Sequence, residues 1–358
     1  MSNCCRAAGI LAGIFCTYTI AQANTTQTVA RAYLDSTLTL MQEKYAYQSS
    51  VDWLTIRDQA FKDAAGSELP VDTYEAIRGA LKALTDHHSR LILTEQLAET
   101  EKKRRLERHL PPPSDFRRSS SPFRDRVAPE GRAITYDGKL YAFVVVPMHP
   151  GTDPTGEFAT AIQRNVATLQ TQHPIGWIVD LRGNRGGNMW PMLAGIGPLL
   201  GVEKVGEFLD ISSKPVGTWH YADGRAWLET PNSIASAVRA SGTPVIVSDT
   251  SPVALLMDEA TGSSGEAIAI AFCGRARTRF FGVRSGASAS SPRVWPLSDG
   301  AQIMLADAAL ADRNGRTYMN GVVPDEVVTY ASGDKSEDSQ ITAALRWLAL
   351  QSSPKLLN

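Results

Sequence analysis

The chain has 358 residues, 43% of them hydrophobic and 20% charged, with a net charge of −1. That balance describes a globular protein with an ample core and room for two domains. It leaves no electrostatic footprint for nucleic acid or an acidic surface, so neither is expected as a partner.

Residues 1–23 read as a secretory signal peptide: Arg6 supplies a positive n-region, Ala7 to Ile20 is apolar and small, and Ala21-Gln22-Ala23 forms an A-x-A cleavage site. The apolar run is short for a membrane span, so no stable membrane insertion is expected once the signal is removed. A retained N-terminal anchor is the alternative; acylation at Cys16 is disfavoured by the bulky Phe15 before it. Cys4, Cys5 and Cys16 fall inside the signal, which leaves Cys273 alone in the mature chain and no internal disulfide. Its place after Phe272, at the end of an apolar run, reads as a buried structural thiol. No Cys/His cluster has metal-ligand spacing, and no metal or organic cofactor is expected.

Residues 24–95 read as a helical domain, with Leu34, Leu38 and Met41, then Ile77, Ala80, Leu81 and Leu84, at helical spacing. Residues 96–133 read as a basic Pro/Ser-rich linker, because Glu101 to His109 is a charge run and Pro111-Pro112-Pro113 breaks any helix. Between 101 and 132 there are ten Lys/Arg against five Asp/Glu. Residues 134–332 read as an α/β core, followed by a C-terminal helical tail over 333–358. Expected strands are Tyr141 to Val146, Gly176 to Val179, Val245 to Val247, Val253 to Met257, Thr278 to Gly282 and Ile303 to Leu305. Phe158, Ile162, Val166 and Leu169 mark one helix and Met189 to Leu200 another, while Trp219 to Trp227 looks like a hairpin inserted on an edge.

Within that core, Thr261-Gly262-Ser263-Ser264-Gly265-Glu266 stands between an apolar strand, Val253 to Met257, and an apolar helix-like run, Ala267 to Phe272. Strand, small-residue turn and helix present a serine hydroxyl where unpaired N–H groups favour a developing anion. Ser263 and Glu266 also spell an S-x-x-E capping box, in which the hydroxyl merely caps the helix. A second segment, Asp180-Leu181-Arg182-Gly183-Asn184-Arg185-Gly186-Gly187-Asn188, follows a buried strand and precedes a helix, the place where α/β proteins bind ligands. It fits neither phosphate-loop spacing, and by itself could be a tight turn. A third, Thr85-Asp86-His87-His88-Ser89-Arg90, offers imidazole, the default base for a serine near neutral pH.

Taken in chain order, the three segments resemble the tail-specific, or C-terminal-processing, serine peptidases, a group that includes the tricorn protease. Asp86-x-His88-Ser89 is similar to their D-x-H-S segment, Asp180 to Gly187 to D-L-R-G-N-x-G-G, and Ser263-Ser264-Gly265-Glu266 to their serine motif. Gly321-Val322-Val323-Pro324-Asp325 matches the closing G-V-x-P-D. The resemblance implies a crotonase-like (ClpP/crotonase type) α/β catalytic core with an N-terminal helical domain, and a peptide or protein substrate. It implies Ser263 as nucleophile, and the N–H of Ser264 with that of Gly186 or Gly187 as the oxyanion hole.

Many members carry a lysine base downstream of the serine, but no lysine lies between Ser263 and Gly300, and Ser288 stands near that place. The tricorn-like branch uses a histidine instead, and His88 matches it better than His87. The branch's acid falls just before G-V-x-P-D, where this chain has Tyr318-Met319-Asn320; Asp312 is the substitute, ahead of Asp86, and a dyad without acid stays open. Val283 stands where the family has glutamate. The interval from His88 to Asp180 has no strand-rich stretch for a peptide-binding PDZ domain, which is inferred to be absent. The expected protein is an exported, periplasmic or secreted serine peptidase working through an acyl-enzyme. A non-catalytic module for hydrophobic ligands and an esterase-type acyl hydrolase are the alternatives.

Overall fold

The computed structural model describes residues 29–84, 86–113, 121–201, 203–330 and 338–351, so the expected leader over 1–23 lies outside the described residues. The chain forms two compact units. Among the described residues, one holds 29–84, 89–113 and Pro292–Ala306; the other holds Asp86–His88, 121–201, 203–291, 307–330 and 338–351.

The first unit is mainly helical. Helix α1 covers residues 29–44 and buries Leu34, Leu38 and Met41, one stripe at helical period. Helix α2 (Trp53–Asp63) starts at Asp52, whose carboxylate accepts the Thr55 N–H at 3.1 Å, as an N-cap aspartate does. Helix α3 (Tyr74–Ala83) buries Ile77, Ala80 and Leu81. Strand β1 (Arg90–Ile92) pairs antiparallel with residues 302–304, inside a region whose sequence pattern is helical throughout. Helix α4 (Glu95–Glu107) corrects the reading of residues 96–133 as a linker. Thr94 caps it, and its buried Glu101 and Arg105 are paired with Arg78 and Glu75 at 2.8 Å each. Ion pairs in this charge run do the work that apolar residues do in an ordinary amphipathic helix.

The second unit carries the α/β architecture. Its strands begin with β2 (Glu130–Tyr136), β3 (Lys139–Val145), β4 (Trp177–Asp180), β5 (Glu203–Leu209) and β6 (Pro215–Ala222). They continue with β7 (Arg225–Thr230), β8 (Ser233–Arg239), β9 (Val253–Met257) and β10 (Thr278–Gly282). Strands β11 (Ser290–Pro296) and β12 (Gln302–Ala311) have residues in both units, and β13 (Glu326–Val327) closes the series.

One sheet has the order β13-β10-β9-β4-β3-β2, parallel except for the β2–β3 hairpin. Both faces are covered. Ala142, Val144, Val179 and Leu255 face α5 (Glu157–Gln170), α6 (Met189–Ile196) and α7 (Ser264–Phe272). Tyr141, Phe143, Ile178, Leu256 and Phe281 face α8 (Ser339–Gln351). Alternate residues of one strand thus enter two cores, which is why these strands read as unbroken apolar runs. A second, antiparallel set joins the end of β12 through β5, β6 and β7 to β8. The expected hairpin is β6–β7, but β5 and β8 flank it, so it lies inside that set rather than on an edge. Residues 245–247 form no strand: β9 is already paired on both sides by β4 and β10, and Ile246 is 85% exposed.

Candidate active site

The carboxyl ends of β4 and β9 carry the two small-residue turns identified from sequence, both in the second unit. Their backbones are joined by the Gly262 N–H, which donates to the Asn184 carbonyl at 2.9 Å. Each turn is fastened from behind by a buried carboxylate. Asp258 Oδ1 accepts from the N–H groups of Gly183, Ala260 and Thr261 at 3.0, 3.1 and 3.0 Å. Asp180 is fully buried and meets Arg182 and Arg126, each at 2.7 Å. Burial pushes the Asp180 carboxyl up, and the two guanidiniums outweigh that and hold it below the usual carboxylate range. The conspicuous D-L-R of the motif is therefore an anchor for the loop.

Ser263 immediately precedes α7 with φ +55° and ψ −122°, a conformation a serine rarely adopts. Glu266 Oε2 accepts the Ser263 N–H at 3.2 Å, whereas the Ser263 hydroxyl makes no capping hydrogen bond. The glutamate half of the S-x-x-E box closes.

The glycine turn packs directly against this serine. A Cβ on Gly186 would lie 2.7 Å from Ser263 Cβ and 2.8 Å from the Ser264 nitrogen. Gly186 and Gly187 both have left-handed φ, +97° and +103°. Their N–H groups differ in availability. That of Gly186 donates to Asn184 Oδ1 at 2.9 Å, while those of Gly187 and Ser264 have no acceptor among the described residues. Of the two N–H groups left open from sequence, that of Gly187 is the one without an acceptor among the described residues.

His88 belongs to the same unit. Its N–H donates to Asp86 Oδ1 at 2.9 Å, and the preceding His87 N–H donates to the Ala287 carbonyl at 3.2 Å. His88 is half-buried with Nδ1 2.9 Å from Ser290 Oγ; His87 is exposed. Asp312 is placed otherwise than expected. Its Oδ1 accepts the Asn314 and Arg316 N–H groups at 2.8 and 3.2 Å, and its Oδ2 the Tyr318 hydroxyl at 2.7 Å. Those donors make it the organiser of its own turn, whereas Ser290 Oγ lies within hydrogen-bond distance of His88 Nδ1. Ser290 carries no compositional signal, so sequence reasoning missed it.

Glu266 is the other polar group under the site. It accepts from Ser263 N–H, from the Ser288 N–H at 2.7 Å and from the Ser285 hydroxyl. Burial dominates and raises its carboxyl to about 7, even though these hydrogen bonds pull the other way. Among the described residues no cluster of His, Cys, Asp and Glu is arranged to hold a metal ion, and no helix is long and apolar enough to cross a membrane.

Comparison with known proteins agrees with this geometry. Residues 152–328 match the model of peptidase family S41. The nisin-resistance protein of Lactococcus lactis subsp. lactis is 25% identical over 322 residues, covering 89% of this chain and 87% of the relative. A lipoprotein structure from Streptococcus agalactiae covers 90% of this chain and 97% of its own, with 20% identity and a TM-score of 0.54. The structure of mature CPAF complexed with lactacystin covers 91% and 98%, with 10% identity and a TM-score of 0.57. At such identities the solved structures speak for the fold.

Proposed function

This chain is a serine-type peptidase whose residues 152–328 belong to peptidase family S41, and we propose that Ser263 is its nucleophile and His88 its general base. The single observation that supports this reading best is the Ser263 turn: a strained serine at a helix start, against a glycine turn whose Gly187 N–H has no acceptor among the described residues. The Ser263 hydroxyl attacks the peptide carbonyl and passes its proton to His88 Nε2, the ring nitrogen opposite the one that meets Ser290. The N–H groups of Ser264 and Gly187 hold the oxyanion. The leaving amine takes the proton back from His88, and water then hydrolyses the acyl-enzyme by the same proton route.

The sheet built on β4, β9 and β10 with its flanking helices serves in this reading as a crotonase-like core, and the helical unit as an N-terminal domain. The substrate is a peptide or protein. We propose that the enzyme is exported; the leader-like residues 1–23 support this, as does similarity to a protein described as a lipoprotein. Labelling by a fluorophosphonate probe tests the assignment. Wild type should be labelled, with labelling lost in Ser263→Ala and His88→Ala, and peptide turnover should fall on the order of 10⁴-fold in Ser263→Ala. Undiminished labelling of Ser263→Ala would overturn the nucleophile.

A further inference from the structure

The segment Ser285 to Ser290 meets His88 directly and is linked to the Ser263 backbone through Glu266. On the serine side, Ser285 Oγ and the Ser288 N–H meet Glu266, which in turn holds the Ser263 N–H. On the histidine side, the Ala287 carbonyl takes the His87 N–H, and Ser290 Oγ lies 2.9 Å from His88 Nδ1. Ser290 is 4% exposed, and its backbone is fixed on both flanks. Its own N–H donates to the Ser288 carbonyl at 2.8 Å, and the neighbouring Ala289 carbonyl accepts from Leu310 N–H at 3.1 Å.

We propose that Ser290 is the positioning residue for His88, filling with a neutral hydroxyl the place where a Ser–His–acid triad has a carboxylate. This rests on the reading of Ser263 and His88 given above. The hydroxyl oxygen can accept a hydrogen bond from Nδ1–H, which fixes the tautomer that leaves the Nε2 lone pair for Ser263. It also locks the ring orientation, because Ser290 is itself immobilised by burial and by β11. What a hydroxyl does not supply is a full negative charge beside the imidazolium that forms during reaction. The Ser290 hydroxyl thus orients the ring without itself adding a charge beside it. Asp86 accepts the His88 N–H, His87 donates its N–H to the Ala287 carbonyl, and Glu266 accepts the Ser288 N–H, so these titratable residues flank the contact.

The test uses the full-length mature protein and two readouts. The first is the second-order rate of fluorophosphonate labelling against pH for wild type, Ser290→Ala, Ser290→Thr and Ser290→Asp. Ser290→Ala should lower the plateau rate roughly 10- to 100-fold, the scale of one lost orienting hydrogen bond. Ser290→Thr, which keeps the hydroxyl, should restore most of the rate. Ser290→Asp should move the acidic limb of the profile up by about one pH unit or more, because an adjacent carboxylate favours imidazolium. The second readout is the His88 imidazole titration by NMR, assigned with His88→Gln. It should show the same upward shift in Ser290→Asp, and it does not require the enzyme to turn over.

Wild-type rates and an unmoved acidic limb in both Ser290→Ala and Ser290→Asp would overturn the proposal. So would a His88 titration indifferent to the Asp substitution. Should Ser290→Ala fail to fold, Ser290→Thr and Ser290→Asp decide the matter alone. Absence of labelling in wild type would count against Ser263 as nucleophile, and the NMR titration would still judge Ser290 separately.

Discussion

Gly186→Ala places a methyl group where the two proposed catalytic turns meet. The new Cβ would stand 2.7 Å from Ser263 Cβ, 2.8 Å from Ser264 N and 2.9 Å from Gly262 O. Ordinary van der Waals contact begins near 3.4 Å, so the nearest pair must part by about 0.7 Å. All three obstacles belong to the serine turn, and two are backbone atoms that no rotamer change can remove. The φ of +97° adds strain of about 1–2 kcal/mol for a residue with a Cβ, and overpacking adds about 1–3 kcal/mol. A loss of about 2–5 kcal/mol is therefore expected, read as a lower urea midpoint. Gly138→Ala supplies the control: its φ is +67°, but nothing lies within 4 Å, so it carries the φ cost alone. The labelling rate of folded protein separates site from scaffold. Displacing Ser263 by a good fraction of an ångström should slow labelling by about 10- to 100-fold, whereas Gly138→Ala should leave it unchanged. Wild-type labelling by folded Gly186→Ala would refute the claim that this contact positions the nucleophile.

Two further substitutions probe the carboxylates. Glu266 has its carboxyl raised from 4.5 to about 7 in the fold, so its contribution is fully present below pH 4.5 and is lost as pH rises through 7. The cost over that window is on the order of 3 kcal/mol; Glu266→Gln should flatten the decline of urea stability between pH 4.5 and 7.5, and an unchanged slope would exclude Glu266 as its source. Asp312→Asn weakens the hydrogen bonds from Asn314, Arg316 and Tyr318 and should cost about 1–3 kcal/mol of stability. Labelling per folded molecule should stay within a few-fold of wild type, and a loss of 100-fold or more would restore Asp312 as the acid.

The parts of this molecule that could be read from its sequence are those in which local chemistry decides the outcome. A serine between an apolar strand and an apolar helix, glycines after a buried strand, and a histidine beside Asp86 each state a backbone need or a titration that neighbours in sequence do not override. What escaped is set by residues far apart in the chain. The charge run containing Glu101 and Arg105 reads as solvated until Arg78 and Glu75 arrive to pair with it. Gly186 and Gly187 are equivalent on paper and become different only when the Asn184 side chain occupies one N–H. Asp312 looked like an acid for His88 because acids are conspicuous, yet the donors around it are its own turn's. Ser290 had no claim until the fold brought it to Nδ1.

The Ser263 conformation also explains why so much of the second unit's buried polarity surrounds two short turns. A non-glycine residue at φ +55° and ψ −122° costs roughly 1–3 kcal/mol and persists only where its surroundings over-determine it. Here Asp258 holds three N–H groups of the adjoining turns, Asn184 receives Gly262, and Glu266 holds Ser263 itself. Releasing the strain would break several of these bonds together, in a region where their groups have little water to turn to. Burial that raises the Glu266 carboxyl and burial that demands two guanidiniums for Asp180 are thus the same device. Both keep the turns dry and fixed around Ser263.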